Sequence, residues 1–134
     1  MNKFTLHPQL AKDCFVIQDL ELCRLLLMND KNYPWCILVP MREEKKDIYE
    51  LADAEQKLFI TESSRLSAVM MKLFQGKKMN VAALGNKVSQ LHIHHIVRFE
   101  GDPCWPKPVW GQVVPVLYSS EEAQALIAKI KAAL

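Results

Sequence analysis

Three of the chain's four histidines fall within four residues, at His92, His94 and His95. Residues 91–99 around them are rich in Leu, Ile, Val and Phe and read as a β-strand. A strand sends successive side chains to opposite faces. Gln90, His92, His94, Ile96 and Arg98 therefore share one face, and Leu91, Ile93, His95 and Val97 share the other. The second set is mostly apolar and reads as core-facing, which makes His95 a satisfied core or interface histidine. The first set is polar at Gln90, His92 and His94 and is expected to face solvent or a ligand. Neighbouring same-face positions stand about 7 Å apart at their Cα atoms, so two imidazoles there can grip one small anion or metal ion.

Three chemistries fit such a pair. The plainest is an exposed polar sheet face on which histidines happen to fall. A His-x-His pair on a strand can also ligate a metal, which would need a third or fourth ligand. Cys104 is the nearest candidate in sequence. The third is nucleophilic catalysis. Neutral imidazole is a good nucleophile toward phosphorus because its pKa lies near 7. Attack gives a phosphoramidate-type intermediate and splits one hard displacement into two easier ones. That chemistry calls for no cofactor, but it needs donors beside the nucleophile and a partner that holds its tautomer.

The elements that must carry these residues can be read from pattern. Residues 14–17 and 20–28 are apolar runs divided by Gln18 and Asp19, consistent with a hairpin. Residues 29–34 (Asn-Asp-Lys-Asn-Tyr-Pro) are a strong turn signal, and 35–39 a short buried strand stopped by Pro40. The mixed charges of 42–47 read as a solvated loop. A long helix follows, with Asp53 as its cap, Gln56 three residues on, and an apolar stripe through Leu58, Phe59, Leu66, Val69, Met70, Leu73 and Phe74. Gly76 is placed to end it. Residues 79–84 read as a strand and Gly85-Asn86-Lys87 as a turn into 91–99. Ser119 with Glu122 has capping-box spacing and opens a terminal helix over about 119–134. This order, with its short connections, is α+β with an antiparallel sheet.

Composition narrows the function classes. At 134 residues, half of them hydrophobic and 24% charged, the chain fits a single domain over 1–134 and argues against disorder. A formal charge of +2 argues against a dedicated groove for a nucleic-acid polymer. No apolar run approaches the length of a membrane span, and residues 1–10 lack a signal-peptide pattern. Cys14, Cys23, Cys36 and Cys104 are scattered without a CxxC pair, and Cys14, Cys23 and Cys36 sit among apolar residues. Reduced thiols in a cytoplasmic, soluble protein follow as the expectation.

Residues 85–98, Gly-Asn-Lys-Val-Ser-Gln-Leu-His-Ile-His-His-Ile-Val-Arg, resemble the signature of the histidine triad (HIT) family, Gly-Gln-x-Val-x-His-φ-His-φ-His-φ-φ with φ apolar. The element order agrees over about residues 12–112. The resemblance implies a HIT-like fold: an antiparallel sheet, one long helix and a C-terminal helix. It implies a nucleotide or nucleoside phosphate derivative as ligand, a homodimer, and hydrolysis or nucleotidyl transfer at the α-phosphate. His92 takes the place of the family's nucleophile and His94 that of its phosphate-contacting histidine. Gln90 replaces the first triad histidine; its amide can hydrogen-bond but carries no titratable proton. Asn86 stands for the glutamine after the motif glycine, and Ser89 could donate to phosphate. Asn29 or Asp30 matches the ribose-binding position at an early strand end. His95 stands where the family prefers an apolar residue. The stretch 105–110 reads as a packed proline-rich loop or as an aromatic lid carrying Lys107 near phosphate. Two alternatives remain open: a nucleotide-binding module with little catalysis, and a metal-dependent hydrolase using His92 and His94.

Overall fold

The near-continuous apolar runs become adjacent inner strands, β2 (Cys23–Met28) and β3 (Trp35–Pro40). Strands covered on both faces can stay apolar throughout, and every residue of β3 is buried. β1 (Cys14–Asp19) pairs with β2 as a hairpin, β5 (Ile93–Arg98) pairs with β3, and β4 (Lys78–Ala82) lies outside β5. The sheet is antiparallel at every pairing, in the order β1-β2-β3-β5-β4. The computed structural model describes residues 4–134, so part of the 1–10 stretch lies outside the described residues.

The two sheet faces bury different partners. On one, Leu25, Leu27, Leu38, Ile93 and Val97 pack with α2 (Asp53–Phe74) and α3 (Ser120–Ala133) through Phe59, Leu66, Met70, Ile127 and Ile130. On the other, Leu26, Trp35, Ile37 and Ile96 cluster with Tyr33, Val109 and Leu10 of α1 (Pro8–Asp13). Antiparallel sheet and segregated helices are the α+β, HIT-like architecture expected from the element order.

Local chemistry departs from the sequence reading at several points. α1 precedes β1, where the sequence reading has no helix. His7 caps it by accepting Gln9 N–H at 3.0 Å through Nδ1, and Pro8 opens it. One turn and a half is too short to show helical periodicity. The cap of α2 is Ala52, not Asp53: Asp53 is already helical, and Glu55 Oε1 takes the Ala52 N–H at 2.9 Å. The Ser119–Glu122 box on α3 is present in both directions. The β4–β5 connection is a ten-residue segment, 83–92, rather than a tight Gly-Asn turn, so His92 sits one residue ahead of the strand.

Gln75, not Gly76, takes the left-handed turn that ends α2. Gly76 is required for space: a Cβ there would lie 2.3 Å from Val97 Cγ1 and 3.0 Å from Met71 Sδ. Gly76→Ala is expected to cost about 1–3 kcal/mol in urea unfolding by over-packing the junction of α2 and β5. Adding Val97→Ala should recover part of that loss. An unchanged Gly76→Ala midpoint would contradict this packing.

Candidate functional site

His92 and His94 share the α1 face of the sheet, with ring centroids 5.0 Å apart. Their hydrogen bonds define opposite roles. His92 Nδ1 lies 2.7 Å from the Gln90 carbonyl oxygen, which only accepts, so Nδ1 carries the proton and the lone pair of the neutral ring is on Nε2. The indole Nε1–H of Trp35 donates to His94 Nδ1 at 3.0 Å. Indole N–H only donates, so His94 holds its lone pair at Nδ1 and its proton at Nε2. Among the described residues no buried side-chain nitrogen or oxygen lacks a partner. The two Nε2 atoms make no hydrogen bond among the described residues, so neither is wholly buried. One ring offers a lone pair and its neighbour offers an N–H.

Aromatic rings box His94 in. Trp35 and Trp110 meet it edge-on, with centroids at 5.6 and 5.1 Å. Burial, helped by repulsion from any proton on the neighbouring His92 or His95 ring, pushes the His94 pKa down to about 3, so the ring stays neutral at physiological pH. Of the readings for this face, the openly exposed one does not hold: His92 and His94 are both more than nine-tenths covered, because α1 and the 101–118 segment roof this side of the sheet.

His95 turns to the helix face, as its alternation requires. Its Nδ1–H donates to the Ile93 carbonyl at 3.0 Å and its Nε2 accepts from Ser63 Oγ of α2 at 2.7 Å. Burial pushes its pKa down to about 4, against the raising effect of the Ile93 carbonyl. His94 and His95 thus stay neutral in the native state but titrate near 6.5 when unfolded. Between those values the unfolded chain binds more protons. The stability they allow is complete above pH 6.5 and falls as pH drops toward 4. Urea unfolding at pH 5 should show a loss on the order of 2 kcal/mol per ring relative to pH 7. His95→Gln should give a shallower slope, and a flat profile for the native chain would refute this.

The other sequence candidates scatter. Gln90's side chain is committed to the N-terminal segment: Oε1 accepts from His7 N at 2.8 Å and Nε2 donates to the Thr5 carbonyl at 2.9 Å. What Gln90 gives His92 is its backbone carbonyl. Asn86 and Ser89 are exposed on the 83–92 segment. Ser89 shares an open cleft of about 480 Å³ with His7, Lys45 and Lys46. The 42–47 run is thus more than a solvated loop, and the Lys45 carbonyl accepts Leu91 N–H at 2.9 Å, tying it to the motif.

Asn29 and Asp30 line a cavity of about 420 Å³ with Met28, Trp35, Pro115 and Leu117. Both carry polar links to the 113–118 segment: Asn29 Oδ1 accepts Tyr118 N–H at 2.8 Å, and Asp30 Oδ1 accepts Val116 N–H at 3.2 Å. Trp35 is the wall that this cavity shares with His94.

The 105–110 stretch is both a packed loop and a cover. Arg98 and Asp102 form a buried pair, with Nε to Oδ2 at 2.8 Å. Asp102 also accepts the backbone N–H groups of Phe99, Cys104 and Trp105. Arg98 further donates to Asn80 Oδ1 and lies over the Tyr33 and Trp105 rings. This knot shapes the loop that sets Trp110 on His94. Lys107 is exposed on it. Cys104 joins the same knot, 3.2 Å from Tyr33 Oη, so its sulfur is engaged away from the histidine pair. Among the described residues no three His, Cys, Asp or Glu side chains gather as a metal site would need.

The HIT domain model matches residues 9–101. The chain belongs to the histidine triad family. A histidine triad protein from Marinobacter aquaeolei is 52% identical, with a TM-score of 0.95 over 98% of this chain and 96% of that one. One from Sinorhizobium meliloti is 42% identical, with a TM-score of 0.97 over 100% and 99%. A hypothetical histidine triad nucleotide-binding protein from Sulfolobus tokodaii shares the fold at 13% identity and a TM-score of 0.68, over 90% of this chain and 83% of that one. No curated protein matches. Within this histidine triad chain, no helix among the described residues is long and apolar enough to cross a membrane.

Trp35 and Ser63 escaped the sequence reading as partners of the histidines. They come from β3 and α2, and no spacing rule links them to residues 92–95. The only signal was that a strand tryptophan needs somewhere to place its N–H.

Proposed function

We propose that the protein is a nucleotide hydrolase or nucleotidyl transferase acting at the α-phosphate of a nucleoside 5′-phosphate derivative. The observation that carries this reading is the opposed pair of free ring nitrogens, a lone pair at His92 Nε2 beside an N–H at His94 Nε2. The His92 lone pair attacks phosphorus, an Nε2–P bond forms, and the bond to the leaving group breaks with its electron pair. His94 Nε2–H takes the charge that builds on a phosphoryl oxygen. Water then attacks the nucleotidyl-histidine, releasing nucleoside monophosphate and returning the lone pair to His92.

The cavity between β2, Trp35 and the 113–118 segment suits the nucleoside: apolar walls for a base, with Asn29 and Asp30 for ribose. Ser89 and Asn86 serve phosphate from the 83–92 segment. Gln90 acts through its carbonyl, which holds His92 in the nucleophilic tautomer. A homodimer is part of the reading, and β4 at the sheet edge, with Val81 half-exposed, is available to it. Sedimentation would test that.

The test of function is incubation with adenosine phosphoramidate, dinucleoside polyphosphates and a nucleotidyl acceptor, following monophosphate release. Turnover of at least one, insensitive to chelators, is expected. No turnover alongside measurable nucleoside monophosphate binding would instead favour a binding module. The observation behind that second reading is that the Gln90 amide, where the family has a titratable histidine, is spent on Thr5 and His7.

A further inference from the structure

We propose that Trp35 is a positioning residue whose indole N–H fixes the orientation and tautomer of the His94 ring, making His94 a permanent Nε2–H donor beside the lone pair of His92. The role goes beyond packing. Trp35 is 6% exposed, and its N–H has His94 Nδ1 as its acceptor at 3.0 Å. A flipped ring would turn a carbon toward the indole and leave its N–H unpaired in a buried setting, which is costly. The other tautomer would set two N–H groups against each other. Either change removes the Nε2–H donor from beside the His92 lone pair. Trp110 touches the same ring edge-on at 5.1 Å without hydrogen-bonding to it, so it confines the ring without choosing between its nitrogens. Tryptophan cannot titrate, so the setting is independent of pH wherever His94 itself is neutral. Trp35 also walls the cavity beside Asn29 and Asp30, so one side chain joins the cavity to the histidine pair. The catalytic consequence rests on the proposed function; the orientation itself does not.

Nitrogen-15 spectroscopy of protein labelled at His and Trp tests this without substrate. In the native chain His94 should show one pyridine-like nitrogen, Nδ1, and one pyrrole-like nitrogen, Nε2, constant from pH 5 to 8. A through-hydrogen-bond coupling should link Trp35 Nε1 to His94 Nδ1, and its absence would overturn the proposal with no variant needed. Trp35→Phe keeps a ring in the slot and removes the N–H. In that variant the two His94 nitrogens should move toward each other, while the His95 pattern, set by Ser63 and Ile93, stays fixed and reports an intact sheet. Trp110→Phe should leave the native His94 pattern in place. An unchanged pattern in Trp35→Phe, or an equal change in Trp110→Phe, would overturn the assignment. If the chain turns over nucleotides, Trp35→Phe should lower kcat at least about tenfold with KM changed less than about threefold. Loss of turnover in every form, with the coupling retained, would refute the hydrolase reading and keep Trp35 in its role.

Discussion

His92→Ala should lower kcat by about 10⁴-fold or more and remove any nucleotidyl-enzyme intermediate, while nucleotide affinity changes less than about tenfold. The asymmetry follows from the division of labour in the site. His92 contributes one lone pair at Nε2, and the neighbouring ring does not duplicate it: Nε2 of His94 carries a proton, and its lone pair at Nδ1 is taken by Trp35. The proposed reading places binding elsewhere, in the cavity lined by Asn29, Asp30 and Trp35. Because the His92 ring is buried, the variant should also lose some stability, so urea unfolding is measured beside activity to separate the two. Removing His94 should cost less, about 10²–10³-fold, because it stabilises charge without forming a bond to phosphorus. Acid-quenched single turnovers with α-phosphorus-labelled substrate would read this directly. Label on a residue other than His92, or His92→Ala turning over within tenfold of native, would dismiss His92 as nucleophile.

The largest stability effect is expected at Asp102. Its carboxylate accepts five hydrogen bonds, two from Arg98 and three from the backbone of Phe99, Cys104 and Trp105. Burial pushes its pKa up, but those donors outweigh it and hold the group below the ordinary carboxylate range. The two side chains of the pair are 1% and 2% exposed. Asp102→Ala would leave the Arg98 guanidinium buried with Asn80 as its remaining hydrogen-bonding carboxamide, at a cost of about 3–5 kcal/mol. A double variant, Arg98→Met with Asp102→Leu, should be less destabilised than Asp102→Ala alone, because it removes the stranded charge as well. Denaturant unfolding of the three forms decides it. The loop that seats Trp110 on His94 hangs from this pair, so Asp102→Asn should also raise KM more than it lowers kcat. Equal stability of Asp102→Ala and the native chain would show that the pair carries no such strain when broken.

Much of this was legible before any coordinates. Alternation along 91–98 assigned His92 and His94 to one face and His95 to the other, and each ring is found there. The apolar stripe of α2 and the Ser119–Glu122 cap are local patterns, set by residues within a few positions of each other, and both survive folding. Weak local signals mislead. α1 is too short to show a period. The α2 cap is decided by Glu55 reaching back to a residue with no side-chain acceptor. At Gly76 the requirement is space against Val97, which lies 21 positions away.

The sequence by itself determined which atoms were available and on which side of a strand they would stand, because the two-residue period of a β-strand is a covalent and steric property. It also determined the family, through the run from Gly85 to Arg98. Only the tertiary structure decided what each ring does. Identical imidazoles become a lone-pair carrier at His92, a donor at His94 and a core strut at His95. Their partners are the Gln90 carbonyl, the Trp35 indole and the Ser63 hydroxyl. Two of those partners arrive from other elements, 59 and 32 positions distant in the chain. An imidazole's tautomer is set by its hydrogen bonds, and hydrogen bonds across such separations exist only once the sheet and helices have packed.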